Sequence, residues 1–336
     1  MKKIVKIALC NFIYYSRLLR LYVFFAWLGR KNFPLVVINF HRFVDNYDGQ
    51  MDTEPTVVHK IDDFKREIKF LLKYFDIISL DQAVETLRLG QGFSRPTVSI
   101  TVDDGFADNF TLLFPVLSLH KVPVTIFLTT GVIGTKDKIW VDRLADLFLN
   151  TQKTAMVMKV GMSEKRYGLT TLDEKREAYS GVLSELKDVE FAERNRLLGS
   201  LEQKLGAAPE DHRAIMLDWE QVRMMSRQGI SFGAHTMTHP ILTNMPLQDA
   251  KREILGSKEA IEKNIGIKVR HFAYPNGRPQ DFNEELRSYC KEIGFESIST
   301  CDFGNNKSAE DALRLKRIGS YLPLSVFAVN VVRCFK

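Results

Sequence analysis

The chain is 336 residues long, 45% hydrophobic and 26% charged, with a formal net charge of +6. This composition excludes a largely disordered polypeptide, and the length leaves open one large barrel-like domain or two smaller ones. The charge suggests a polyanionic partner, but residues 1–33 hold seven cations (Lys2, Lys3, Lys6, Arg17, Arg20, Arg30, Lys31) and no acid, leaving −1 on residues 34–336. With a near-neutral body and no nucleic-acid motif, nucleic acid is not an expected partner.

The 1–33 segment reads as a basic, apolar arm. A spanning helix needs about 20 mostly apolar residues, and Arg17 and Arg20 interrupt the run, each costing roughly 2.5–3.5 kcal/mol at a bilayer centre. No small-residue cleavage site follows, which argues against a signal peptide. Wound as one helix, Lys2, Lys3, Lys6, Arg17, Arg20 and Lys31 share an arc of about 100°, broken by Ile13 and Phe24. Two readings stay open: an interfacial helix in which residues 1–30 lie on an anionic leaflet, or one or two helices packed on the body. The four cysteines are scattered without a C-x-x-C pair, indicating neither a disulfide framework nor a cysteine zinc site, and favour a reducing compartment. The expected location is cytoplasmic, or peripheral on the inner face of the cytoplasmic membrane, with export not excluded.

After the arm, apolar runs alternate with helical stretches, as in parallel strands joined by crossover helices. Leu35 to Phe40 reads as a buried strand. Ile61 to Phe75 carries apolar residues at helical spacing, Ile77 to Leu80 follows as a strand, and Asp81 is the expected cap of a helix ending at Leu89. Thr97 to Val102 is the next strand, a helix runs through Leu119, and Val124 to Leu128 is a strand. From about 138 to 212 the alternation breaks: a helix (Trp140 to Leu149), an alternating segment (Met156 to Val160) and charged helices through Leu205 read as an insertion, a lid or partner surface. It resumes at Asp218, where Asp218 and Gln221 match a capping box for a helix from Trp219 to Gln228. A strand from Ile230 to Ala234, helix 247–264, strand 269–274, helix 282–293 and short strands near 295–300 and 315–318 complete the body. About seven β/α units in one sheet point to a closed or nearly closed barrel, which carries its reactive residues at the C-terminal ends of strands.

Four features fall at such ends. Asp103 and Asp104 follow a strand, where adjacent carboxylates point different ways, one towards a metal and one towards substrate; the alternative is an Asp-Gly turn capping a helix. His235 and His239, four apart, suit chelation of one ion, and Pro240 favours a turn over a helix; alone, such histidines are as often structural. Together with the Asp pair they fit a two-histidine, one-carboxylate site with coordination positions left open. His41 directly follows the first strand, though a lone histidine is more often packed. Phe272 to Gly277 is a strand entering a tight turn whose N–H groups suit an oxyanion, or a plain turn. There is no His-Glu-x-x-His, no phosphate-binding glycine loop and no G-x-S-x-G elbow.

Thr101-Val-Asp-Asp-Gly105, His235-Thr-Met-Thr-His239-Pro240 and Tyr274-Pro-Asn-Gly277 resemble, in order, the first three motifs of the polysaccharide deacetylases, the NodB-homology group of carbohydrate esterase family four. The resemblance spans roughly residues 35–320, with 138–212 as extra material. It implies a distorted (β/α)7 barrel, here with a mainly helical insertion and an N-terminal helical arm (residues 1–33 before a catalytic domain of 34–336). It implies a hydrolase removing N-acetyl groups from a hexosamine-containing glycan or a lipid-linked sugar of the envelope or exopolysaccharide. Asp104, His235 and His239 become ligands of a divalent ion, Zn2+ with Co2+ or Ni2+ as alternatives. Asp103 becomes the general base, with Tyr274, Asn276 and Thr236 on the substrate or oxyanion side. The family's C-terminal Leu-x-His has no counterpart. Asn39-Phe-His41-Arg42, however, resembles the Tyr-His-Arg of exopolysaccharide-type members, which makes His41 the candidate acid. Ala273 stands where the family has an arginine that orients the base, so that role is vacant or falls to Arg270, Arg278 or Arg317. The alternatives are hydrolysis of another amide or ester, or an impaired glycan-binding protein at the membrane. Oligomeric state is not specified.

Overall fold

The structure, a computed structural model, describes residues 2–46, 57–160, 163–206, 215–319 and 323–335. The arm is two helices, α1 (Lys2–Tyr15) and α2 (Leu18–Trp27). The body opens with β1 (Leu35–Phe40), β2 (Arg42–Val44), β3 (Val58–Lys60), α3 (Ile61–Tyr74), β4 (Asp76–Ile77), α4 (Leu80–Arg88) and β5 (Thr97–Val102). A π-helical turn (Asn109–Leu113) leads into α5 (Phe114–His120), then β6 (Val124–Leu128). The insertion holds α6 (Trp140–Asn150), β7 (Ala155–Val160), β8 (Ser163–Gly168), α7 (Leu172–Lys187) and α8 (Phe191–Leu205). The body resumes with α9 (Trp219–Arg227), β9 (Ser231–Ala234), α10 (Leu247–Ile265), β10 (His271–Ala273) and α11 (Glu284–Glu292). It ends with β11 (Ser297–Ser299), α12 (Ala309–Ala312), β12 (Arg317–Gly319) and α13 (Leu324–Arg333).

The main sheet is parallel, in the order β11-β10-β9-β6-β5-β1-β12, with β4 beside the start of β5. Its end strands nearly meet: the Thr300 N–H donates to the Leu315 carbonyl at 2.9 Å, and the Leu315 N–H to Ile298 at 2.8 Å. The expected distorted, nearly closed β/α barrel is therefore the fold. Every residue of β1 and β5 is buried, because helices cover one face and the barrel interior the other. Local chemistry sets the helix starts. Asp218 and Gln221 form the expected capping box of α9. At α4 the expectation needs correcting: Ser79, not Asp81, is the cap, because Gln82 closes a reciprocal box with it. The strand before it shortens to Asp76–Ile77 accordingly.

The insertion is built on a core of its own, with Trp140, Phe148, Met156, Tyr179, Leu186 and Leu197 buried among its helices and the β7–β8 hairpin. Its predicted last residues, 207–212, lie outside the described residues. The arm is not one helix. Arg17 takes a left-handed φ of 64° and folds α2 back on α1, so the single charged arc does not form. The side chains of Lys2, Lys3 and Lys6 lie outside the described residues. α2 contributes Leu19 and Val23 to the main core, and Trp27 packs edge-on against Phe33, Phe75 and Phe335. Among the described residues no helix is long and apolar enough to cross a membrane.

Candidate active site

The C-terminal ends of β1, β5, β9 and β10 meet around one cleft of about 200 Å3. Asp103 and Asp104 leave β5, His235 leaves β9 and returns through a turn to His239, and Tyr274 leaves β10. These turns are strained: four of the six described non-glycine residues with left-handed φ are Asp104 (75°), Thr236 (66°), His239 (58°) and Asn276 (60°). Each such residue costs on the order of 1–3 kcal/mol, a cost that persists where surrounding contacts enforce the conformation. Gly105 answers the same demand, since at its φ of +84° a Cβ would stand 2.6 Å from a Leu128 methyl.

The histidine turn is held from several sides. Glu253 accepts from the Met237 and Thr238 N–H groups, both at 2.8 Å, and from the Thr238 hydroxyl at 2.7 Å. Gly131 donates its N–H to the Met237 carbonyl at 2.8 Å; a Cβ there would lie 2.5 Å from that oxygen. The Trp140 indole N–H, from the insertion, donates to the His239 carbonyl at 3.0 Å. Thr236, expected on the substrate side, is fully buried. Its hydroxyl donates to the His235 carbonyl and accepts from the His239 N–H at 3.1 Å, so its side chain serves the turn and not the cleft.

Asp104 Oδ1 lies 3.4 Å from His235 Nε2 and 3.3 Å from His239 Nε2. One donor atom from each of the three residues falls within 4.8 Å of the others. His235 Nδ1 is 2.7 Å from the Ala273 carbonyl, which places a proton on Nδ1 and leaves the Nε2 lone pair facing inwards. Asp104 Oδ1 is buried without a hydrogen-bond partner. A buried carboxylate oxygen aimed between two imidazole nitrogens is the donor set a divalent cation requires. Burial pushes His239 down to about 3. Burial also acts against the charged form of His235, but Asp104 and Asp103 outweigh it and leave that imidazole raised above 6.5.

Asp103 faces a different set of partners. Arg317 on β12 grips it through two bonds, Nη1 to Oδ1 at 2.8 Å and Nη2 to Oδ2 at 2.9 Å. Asn39 Nδ2 adds a third at 2.9 Å, and His41 Nε2 stands 3.7 Å from Oδ2. Burial would raise the Asp103 carboxyl, but Arg317, His235 and His41 hold it far below the usual carboxylate range. Of the three candidate arginines, Arg317 is the one on Asp103. Arg270 pairs loosely with Asp81 and Glu296, whereas Arg278 is held by Asp281 at 3.0 Å and reaches Asp188 at 3.4 Å.

The Tyr274–Gly277 turn also sorts its groups. The Tyr274 ring stacks on Phe282 with centroids 4.8 Å apart and is buried, its N–H donating to the Ser299 carbonyl at 3.1 Å. The Gly277 N–H is turned to the Pro275 carbonyl, and Pro275 has none. The Asn276 N–H is left over, while its side chain is tied to the buried Asp281. Among the residues at the cleft not read from the sequence are Asn39, which holds Asp103, and Trp140 and Lys187, which line it. Asn39 was detectable as the one polar residue in an otherwise apolar strand. The other two come from the insertion, and only tertiary contact places them here.

A nearly closed β/α barrel with an Asp-His-His cluster, a separate carboxylate and a histidine at its C-terminal rim is the arrangement of a metal-dependent hydrolase. The family model for polysaccharide deacetylases matches residues 90–298, and the chain belongs to that family, the NodB-homology or carbohydrate esterase family four, whose enzymes hydrolyse carbon–nitrogen bonds other than peptide bonds. The fold is similar to that of the Streptococcus pyogenes deacetylase PplD in complex with acetate, with a TM-score of 0.60 and 15% identity over 91% of this chain and 99% of that one. It is also similar to IcaB from Ammonifex degensii, with a TM-score of 0.57 and 16% identity over 90% and 97%. A de-N-acetylase from Aggregatibacter actinomycetemcomitans follows, at 0.53 and 14% over 88% and 99%. At such identities the likeness is one of fold. No curated protein sequence matches the chain.

Proposed function

We propose that this enzyme removes N-acetyl groups from a hexosamine-containing glycan or lipid-linked sugar of the cell envelope, and that it works at a membrane surface on which the arm rests. The observation that carries the catalytic reading is the division of labour between two adjacent carboxylates: Asp104 faces two imidazoles, and Asp103 a guanidinium. Asp104, His235 and His239 would hold the divalent ion, with Zn2+ the first choice for a two-imidazole, one-carboxylate set. When bound, that ion supplies Lewis-acid activation of water and of the acetamide carbonyl. Asp103 takes the proton of the attacking water, Arg317 and Asn39 fixing which oxygen is presented. The Asn276 N–H, the one donor of its turn not already engaged, is aimed at the developing oxyanion. His41, beside Asp103, gives a proton to the departing amine. Acetate and a free amino sugar result. Arg317, bonded to both oxygens of Asp103, would take the role that Ala273 cannot, which favours catalysis over a non-catalytic glycan-binding reading.

The test is metal content together with acetate release from N-acetylated glucosamine oligomers, on wild type and on His235→Ala. Wild type is expected to bind one divalent ion per chain and release acetate, and His235→Ala to do neither. A wild type that takes up no Zn2+ on titration would refute the reading. Because His235 is raised above 6.5 in the metal-free protein and must lose its proton to act as a ligand, metal affinity should rise as pH rises from below 6.5, with proton release measurable by calorimetry in two buffers.

Trp140→Phe keeps the apolar bulk of the insertion core but deletes the donor to the His239 carbonyl. Metal affinity should fall by about 10–100-fold, read by chelator competition, with the thermal midpoint little changed.

A further inference from the structure

The arm turns one face to the core and several apolar side chains to solvent. Its inner face is committed: Leu19, Val23 and Trp27 join the core, and Asn11 on α1 accepts a hydrogen bond from Ser325 on α13. On the outer face Leu9, Phe12, Tyr15, Leu18, Leu21, Phe25 and Leu28 are 44–73% exposed. Soluble surfaces scatter such side chains singly and do not collect seven on one short hairpin. Between this hairpin and α3 lies a cavity of about 370 Å3 whose floor includes Leu19, Val23 and Phe70. Its rim carries five cations and, among the described residues, no acid: Arg17 and Arg20 from the hairpin, and Arg66, Lys69 and Lys73 from α3. The α3 cations are spaced to share one helix face. Arg66 is shared with Asp63 one turn away, and Lys73 lies over the Tyr74 ring. Arg17, Arg20 and Lys69 form no ion pair among the described residues. The left-handed φ of 64° at Arg17 is a conformation that glycine would take freely, yet an arginine occupies it and stands at the rim.

From this juxtaposition we propose that the cavity binds the phosphoryl headgroup of an anionic glycerophospholipid, whose acyl chains run beside the exposed apolar residues of the hairpin. A cationic rim over an apolar floor complements an anionic amphiphile, and the exposed Tyr15 and Leu18, close to Arg17 in the chain, continue the apolar surface outwards. The proposal rests on the membrane-facing reading of the arm and is independent of the deacetylase chemistry.

Deleting residues 1–30 would strip Leu19, Val23 and Trp27 from the core, so point substitutions in the full chain are the appropriate probe. In flotation assays, wild type should bind vesicles of phosphatidylcholine with phosphatidylglycerol and not vesicles of phosphatidylcholine alone. Arg17→Gln, Arg20→Gln and Lys69→Gln combined should lower that partition about a hundredfold. Phe12→Ser with Phe25→Ser should lower it too, and both variants should keep the wild-type circular dichroism and thermal midpoint. Equal binding to neutral vesicles, or a triple variant that still binds, overturns the headgroup site but leaves the arm's membrane role standing. No binding to any vesicle overturns both. Inorganic phosphate that raises the thermal midpoint of wild type but not of the triple variant, without vesicle binding, marks a soluble-anion site and overturns the lipid assignment.

Discussion

Arg317→Met is expected to destabilise the protein by about 3–5 kcal/mol in urea unfolding and to abolish acetate release. Arg317 is 3% exposed. Its guanidinium donates to both oxygens of Asp103, to the Thr300 carbonyl at 2.9 Å and to Asn39 Oδ1 at 2.9 Å. Methionine matches only its aliphatic stem and satisfies none of these acceptors, so a carboxylate and a carbonyl are left buried without their partner. Arg317→Lys should recover little of the loss, because one ammonium cannot reproduce the planar two-point grip. A second expectation separates buried charge from packing: Arg317→Met combined with Asp103→Asn should be more stable than Arg317→Met alone, since no unpaired charge remains inside. If the double variant loses as much as the sum of the singles, packing and not charge pairing is what the arginine supplies.

The same pair predicts a change in acid stability. Arg317 holds the Asp103 carboxyl well below its ordinary value, so its contribution is complete above about pH 5 and is lost progressively as pH falls from there towards the much lower folded-state value. In Arg317→Met, burial without the guanidinium pushes that carboxyl up. It then takes a proton more readily in the folded than in the unfolded chain, so the deficit of Arg317→Met against wild type should be largest near neutrality and shrink as pH falls.

Arg317 also shows where reading from sequence stops. The strands were legible because each is a short apolar run between turn or cap residues: Leu35–Phe40, Thr97–Val102 and Val124–Leu128 appear with the expected bounds. The residues around the cleft were legible because a parallel barrel delivers strand ends to one rim, so Asp103, Asp104, His235 and His41 could be placed before any contact was seen. What holds them was not. Arg317 meets Asp103 across 214 positions of sequence, and nothing in its neighbourhood distinguishes it from Arg270 or Arg278. Trp140 reaches His239 from an insertion whose periodicity reports only its own core. The arm's break was hidden for a different reason. Ser16 and Arg17 include neither glycine nor proline, the usual punctuation of a helix, so the sequence leaves one continuous helix and two packed helices both open and does not place the break. The Asn276 N–H is an intermediate case: Pro275 advertises its missing donor, but the engagement of the Tyr274 and Gly277 donors depends on how the turn closes.

Asp103→Asn is the substitution that bears most directly on chemistry. If Asp103 is the base, acetate release should fall by at least about 10²–10⁴-fold, while the metal bound per chain stays at the wild-type level, because Asp104, His235 and His239 are untouched. Asparagine keeps one oxygen for Arg317 but turns an amide N–H₂ towards either the guanidinium or Asn39, so a lower thermal midpoint is expected as well, smaller than for Arg317→Met. The control is Asp104→Asn, which removes a charged donor from the proposed ligand set and should lower metal occupancy and turnover together. Loss of turnover with metal retained in one variant, and loss of both in its neighbour, assigns different work to two consecutive carboxylates. Equal metal loss in both would make Asp103 part of the ion's support and would require another group to take the proton from water. His41, 3.7 Å from Asp103, would be the first candidate, and its replacement by glutamine in the Asp103→Asn background would then abolish the residual rate.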